Sequence, residues 1–382
     1  MTDPLSQQFK EFALASSGPD GDADRALVAA DYFLEHNEIR LAASAFDRAF
    51  GLRPHDESIR RQRGNLLDQL AIHEHGLCFR YIPAGTFLMG SGSGEVDEQP
   101  VHPVPLDDYW VSDIPVTWST YAELMAFSPP PRCVPASDVD RSLLFALHQK
   151  NKIRLQYCET ETIQAGDWHA HDPDQKWQSG DRLVSSEEIF GRVSRDNPAR
   201  PFAYNVKPMV AVSWQEAEEL CEQISTSSVL YHLPTEAQWE KAARGGLIGQ
   251  RYSWGDETPD AARCDFGHFG DWVIRNPLSI RPNDYGLHGM CGGVWEWTED
   301  RYDALSYRTA AERLSAVPAP TSASSGESPP ERVLRGGSWA DCAEVVTVSF
   351  RMSRSSQSWR QQGWCAAATP TIGFRLCRTE IH

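Results

Sequence analysis

"LPTEAQWEKAARGG", residues 233–246, contains a whole helix with its start and stop signals. Thr235 stands where a side-chain oxygen can accept the first free backbone amides, and Gly245-Gly246 supplies a left-handed exit that other residues resist. Just upstream, "VAVSWQEAEELCEQI" (210–224) places Ser213 and Glu216 at the spacing of a reciprocal capping box. Around these helices the chain reads differently. "FRYIPAGTFLMGSG" (79–92) alternates polar and apolar residues up to a glycine turn, and "VPLDDYWVSDIPVTWSTYAELM" (104–125) runs from strand into a capped helix. The remainder is rich in Gly, Pro and Trp. This pattern predicts an α+β domain with two or three helices and much irregular backbone, held by aromatic packing in place of long ladders.

Before it, residues 24–75 carry apolar side chains at helical spacing, broken clearly only at Gly51-Leu52-Arg53-Pro54. With Pro54 set as a closing proline, the segment resembles one tetratricopeptide unit of about 34 residues. Ala30, Phe33, Ala42, Phe46 and Ala49 then fall on its packing positions. One repeat cannot bury its own face, so residues 1–76 are expected to cap the following domain, to dimerise, or to offer a groove to a protein or peptide partner. The second unit spans 79–380 and includes an insertion at about 130–205.

A formal net charge of −17 argues against nucleic-acid and anionic-membrane partners, which draw on clustered Lys and Arg. The N-terminus lacks a charged-then-apolar leader and no window of about 18 apolar residues occurs, so the chain is expected to be cytoplasmic. The nine cysteines have no zinc spacing, and in that compartment most are expected reduced and buried.

Eight segments in order, "IPAGTFLMGS", "PVTWSTYAELM", "PMVAVSWQEAEELC", "YHLPTEAQWEKAARGG", "YSWGDE", "NDYGLHGMCGGVWEWTED", "RVLRGGSW" and "TIGFRLCR", resemble the formylglycine-generating enzyme, or sulfatase-modifying factor, family over about 80–379. The resemblance implies a fold related to the C-type lectin domain, poor in regular secondary structure. It leaves function open, because the family includes copper oxidases, iron-dependent sulfoxide synthases, siderophore-maturing relatives and non-catalytic binding proteins.

The resemblance also implies where each chemistry would sit. The copper oxidases hold Cu(I) between two thiolates following the RGGS-aromatic segment. A gapless match puts Asp341 and Val346 at those positions. Cys342 lies one residue off, with Cys365 as its only suggested partner, and the two would be catalytic only in an oxidase. The histidines His36, His55, His73 and His75 do not fit the pattern of the iron-dependent relatives. In the insertion, "AGDWHAHDPDQKW" offers His169 and His171 on one face of an extended segment, either as iron or zinc ligands or as a solvated loop. For calcium, the resemblance implies the Glu296 carboxylate with the carbonyls of Gly292 and Val294; alternatively Glu296 accepts hydrogen bonds from its neighbours.

The family's substrate groove maps to Ser338, Trp339, Asp341, Arg351, Arg354 and Ser355. Arginine forks there suit a peptide or a carboxylate-bearing molecule, while Arg335 and Arg351 serve equally well as internal ion-pair partners. The loop 356–371, with Trp359 and Trp364, has the composition of a partner-binding surface. Together these residues point to a divergent family member without the copper cysteine pair that binds a peptide, protein or small molecule. The alternative is a copper- or iron-dependent oxidase.

Overall fold

A computed structural model of the protein describes residues 22–125, 207–267, 274–315, 331–356 and 369–381, with the backbone of 176–179 and 182–185. Three helices come first: α1 (Ala23–Glu35), α2 (Ile39–Leu52) and α3 (Glu57–Gln69). Asp22 and Asp56 cap α1 and α3 by accepting backbone N–H bonds. Ala30, Phe33, Ala42, Phe46 and Ala49 are all buried, as the repeat-like spacing requires.

The helical pattern stops sooner than the sequence suggested. Residues Ile72–Glu74 form strand β1, which pairs with β2 (Leu77–Ile82). His75 and Gly76 make the two-residue turn between them, both with positive φ (54° and 71°), so a tight hairpin replaces the last helical turn. The next strands are β3 (Gly85–Met89), β4 (His102–Leu106) and β5 (Tyr109–Ser112), followed by α4 (Trp118–Leu124) on its Thr117 cap. Within the insertion, β6 (Lys176–Ser179) and β7 (Arg182–Ser185) pair antiparallel.

The core continues through α5 (Trp214–Ile224), β8 (Val229–His232) and α6 (Glu236–Arg244). The expected Ser213–Glu216 capping box is present, Thr235 forms a second one with Gln238, and Gly245 ends α6 in the left-handed region. After β9 (Trp295–Arg301) comes α7 (Ser306–Ser315), a fourth core helix that the sequence pattern did not signal. The chain closes with β10 (Glu331–Arg335), β11 (Met352–Ser355), β12 (Ile372–Gly373) and β13 (Cys377–Glu380).

One antiparallel sheet has the order β1-β2-β5-β13-β8, so the last strand is inserted between two early ones. The second sheet runs β11-β10-β9-β12, with β12 parallel to β9. Tryptophans join the irregular segments to these sheets. Trp110 donates to the Leu70 carbonyl, Trp214 to that of Thr298 and Trp297 to that of Val212, at 2.7–2.9 Å. Each indole thus packs a large apolar surface and also satisfies a backbone carbonyl.

The helical unit docks on this core through Arg63, which is almost fully buried. Its guanidinium meets Asp47 on α2 (2.9 Å) and the carbonyls of Gly245 (2.9 Å) and Asp284 (2.8 Å), and lies between the rings of Phe50 and Tyr285. Tyr285 also donates to Asp47. Gly246 permits this approach: its φ is +92°, and a Cβ there would stand 2.7 Å from Arg63 Nη2. Arg63→Met leaves Asp47 and two carbonyls short of a buried donor, and urea unfolding should show a loss of about 3 kcal/mol. A loss below about 0.5 kcal/mol, typical of a surface site, would mean that the helices are held elsewhere.

Candidate functional site

Strand β10 delivers Arg335 into the interior, where no part of it is exposed. It reaches Glu240 Oε2 at 2.5 Å and Glu236 Oε1 at 3.1 Å, both on α6, and the carbonyls of Val348 and Ser349. Arg351, expected at the groove, is drawn into the same cluster. It grips Glu236 through Nε (2.6 Å) and Nη2 (3.0 Å), and Nη1 donates to the carbonyls of Asp97 and Asp303. Both arginines are therefore internal ion-pair partners, and Arg351 is not a ligand fork in this structure.

Glu296 shows the same economy. Arg375 clasps it with Nε at 2.6 Å and Nη2 at 2.8 Å, and the Trp239 indole adds a third bond at 2.7 Å. A calcium ion here would sit against a buried guanidinium that already neutralises the carboxylate. The set Gly292, Val294 and Glu296 therefore does not fit calcium, and the alternative reading of Glu296 as a hydrogen-bond acceptor is the one the geometry supports.

Beyond Arg335 the backbone turns through Gly336 and Gly337 into the segment where thiolates would hold copper. Gly337 has φ +73°, and a Cβ on it would lie 2.7 Å from Val346 Cγ1. Val346, at the second thiolate position, is fully buried against this turn. Asp341, at the first, points back inward: its Oδ2 accepts from the Ser338 amide (2.9 Å) and hydroxyl (2.6 Å). Its carbonyl takes the Gly267 N–H. A carboxylate that locks a turn and a buried valine do not fit a linear Cu(I) thiolate pair.

Ser338 and Trp339, expected to line the groove, are buried as well; Trp339 donates to the Pro370 carbonyl at 3.1 Å. What faces solvent is Cys342, whose thiol bonds to Glu344 and holds that carboxyl below its ordinary range. Beside it runs a strip the sequence reading did not single out. Tyr252 and Trp254 stack in parallel, 5.0 Å apart and 3° from coplanar. Tyr252 donates to the Ala343 carbonyl (3.1 Å), Val348 donates its N–H to Arg251, and the Arg251 guanidinium lies 5.3 Å over the Tyr252 ring. "YSWGDE" stands far from the turn in the chain, and nothing in it showed the stacking or the approach to Ala343.

Beneath the strip are two further thiols. Cys264 donates to the Cys291 carbonyl (3.1 Å), and Cys291 contacts the Ser253 hydroxyl (3.2 Å). Burial pushes the Cys291 thiol up to about 11 and that of Cys264 higher still, so both stay protonated at neutral pH. Arg354 is exposed on β11, an edge strand of its sheet, with Ser355 half-buried next to it. Cys365, Trp359, Trp364, His169 and His171 lie outside the described residues.

A loop-rich α+β core, an RGGS-aromatic turn and a Gly-Phe-Arg strand clasped to a WEW glutamate define one family. The chain belongs to it: residues 79–380 match the sulfatase-modifying factor enzyme 1-like domain. It is 30% identical to the formylglycine-generating enzyme of Streptomyces coelicolor, over 77% of this chain and 87% of that one. It is 27% identical to the inactive C-alpha-formylglycine-generating enzyme 2 of Mus musculus, over 83% and 88%. The solved structure of PvdO from Pseudomonas aeruginosa shares the fold, with a TM-score of 0.50 at 19% identity, over 81% of this chain and 98% of that one.

Two measurements separate the internal roles of these acids from metal binding. Glu296→Gln should cost about 3 kcal/mol by leaving Arg375 a buried charge without its partner, whereas EDTA should leave the wild-type melting temperature unchanged; a chelator-sensitive melt would restore calcium. Glu240 gives a pH signature. Burial alone would raise its carboxyl, but Arg244 and Arg335 outweigh this and hold it below its ordinary 4.5. Its folded pKa lies below the unfolded one, so its stabilisation is complete above about pH 4.5 and is lost as pH falls through the lower folded value. In urea titrations the wild-type advantage over Glu240→Gln should therefore be largest near pH 7 and shrink below 4.5.

Proposed function

We propose that this chain is a ligand-binding member of its family that has given up copper-thiolate oxidation, with the face around the 338–346 turn as its recognition surface. The observation that carries this is the fate of the two thiolate positions: Asp341 is spent on Ser338, and Val346 is packed inside. The likeness to a relative named as inactive supports the same reading. The stacked Tyr252-Trp254 pair and Arg251 beside Cys342 supply an aromatic and cationic strip, and edge strand β11 adds Arg354 and Ser355. Tyr252 is itself buried, so the strip offers the half-buried Trp254 ring and the exposed Arg251, a combination that suits an extended peptide whose backbone can pair with the edge. Trp359 and Trp364 belong to the same proposal as partner anchors.

No helix among the described residues is long and apolar enough to cross a membrane. The described thiols Cys78, Cys221, Cys264, Cys291, Cys342 and Cys377 are all free, which supports a reducing, cytoplasmic compartment. The second reading, a copper- or iron-dependent oxidase, draws on the exposed Cys342 with Cys365, or on His169 and His171.

Titration with Cu(I) against a competing chelator, followed by oxygen uptake with a cysteine-containing peptide, tests the choice. The wild type should take up no stoichiometric copper and consume no oxygen, and Asp341→Cys/Val346→Cys should gain copper. Stoichiometric copper or iron in protein from its native host, lost in Cys342→Ser or His171→Ala, would overturn the binding-only reading.

A further inference from the structure

The second sheet carries a row of arginines that runs across three strands to its edge. Arg332 on β10 is the cross-strand partner of both Arg301 on β9 and Arg354 on β11, so the three side chains stand on one face in adjacent rungs. Directly opposed residues of an antiparallel pair have Cβ atoms about 4.5–5.5 Å apart, and like charges at that spacing repel. Arg335, three residues on and therefore on the opposite face of β10, has two carboxylates to itself. The three arginines of the row have none within ion-pair distance among the described residues.

Arg332, the middle rung, is half-buried. Its guanidinium lies 3.7 Å over the Trp214 ring and donates to the Glu299 carbonyl, while its Nε is buried without a hydrogen-bond partner. Burial, and then the charge of Arg301, hold it below its ordinary value against the pull of Glu218, Glu299 and Asp300. Those acids offset part of the charge of the inner rungs. The outer rung is two strands from Glu299 and Asp300, about 10 Å across the sheet. There Arg354 is exposed, and its guanidinium donates to the Ser353 carbonyl at 3.0 Å. The other face of the same edge is neutral, because the Ser353 hydroxyl donates to Glu331 at 2.6 Å. Three arginines in register are thus gathered toward one edge in a chain of net charge −17.

We infer that the partner of this edge is an acidic peptide, which lies as a strand beside β11 and sets an Asp or Glu directly opposite Arg354. The inference rests on the edge pairing of an extended peptide proposed above and names that peptide's chemistry. A carboxylate in the next rung meets a guanidinium fork and ends a row of like charges with an attraction. Met352, two residues before Arg354 on the same face, is half-buried, so the peptide residue two positions from the acid is apolar. A nucleic acid fits less well: the −17 charge of the whole chain opposes a long polyanion, whereas a single acid feels mainly the charges within about 8 Å of it.

The probe comes from a library of random decapeptides displayed on phage and selected against the full chain. The strongest binder is synthesised with a fluorescent label, beside a copy in which each Asp or Glu is replaced by its amide. Fluorescence anisotropy should show the acidic form binding about fivefold tighter, the upper range for one cross-strand ion pair, and the difference should shrink as sodium chloride is raised. Arg354→Gln should bind both forms alike, with circular dichroism showing it folded, while Arg251→Gln should keep the difference. Equal binding of the two forms by the wild type overturns the inference and leaves a neutral peptide as the occupant, so the edge-pairing reading survives. Loss of the difference in Arg251→Gln in place of Arg354→Gln also overturns it. If no peptide is selected, or if a single-stranded RNA oligomer binds more tightly than any peptide, both the inference and the reading beneath it fall.

Discussion

Helix α6 is only nine residues long, yet two buried guanidinium–carboxylate systems on either side of it set the position of almost everything else. Glu236 and Glu240, one turn apart on its inner face, receive Arg335 and Arg351 from two different segments of the C-terminal half. Glu240 also accepts the Gly90 amide at 2.7 Å, which ties in the turn after β3. Taking these charges out of water is expensive, and apolar residues could fill the volume at similar net stability. What the ion pairs supply is geometry: each oxygen has one place where its donors can reach it. In a domain with short strands and long connections, that fixes loops which ladders do not.

The other side chains of α6 extend the same role. Trp239 bonds to Glu296, which Arg375 secures from the C-terminal strand region. The carbonyls of Ala242 and Ala243 take the Asn283 amide, and the Gln238 carbonyl takes the Tyr109 hydroxyl at 2.6 Å. The helix thereby joins both sheets and the loop on which the N-terminal unit docks. Its cap and its glycine exit define its length, so the register of these contacts follows from Thr235 and Gly245.

That division explains what could be read from the sequence and what could not. Caps, glycine stops and the burial of the helical repeat face are local, and Thr117, Ser213, Thr235 and Phe33 all behave as their spacing implied. The ion pairs are not local. Arg335 and Glu240 stand ninety-five residues apart, so either internal pairing or ligand binding was consistent with the arginines. Glu236 and Glu240 did carry one signal, two acids a turn apart on a short helix otherwise rich in apolar residues. The hairpin at Ile72–Glu74 was hidden because three residues are too few to show a period, and helical spacing simply ran on through them. Asp341 was visible as a substitution, but its inward turn onto Ser338 needed coordinates.

Helix α6 also connects the N-terminal helices to the 338–346 turn. Arg244 lines a pocket beside the N-terminal helices while its guanidinium holds Glu240, and Glu240 in turn holds Arg335 at the root of the 338–346 turn. Screening by solvent is weak inside this buried cluster, so each of its charges is felt by the others. In a closely packed interior the 338–346 turn, on which Ser338 and Asp341 lock each other, therefore rests on the same acids of α6 that hold the turn after β3.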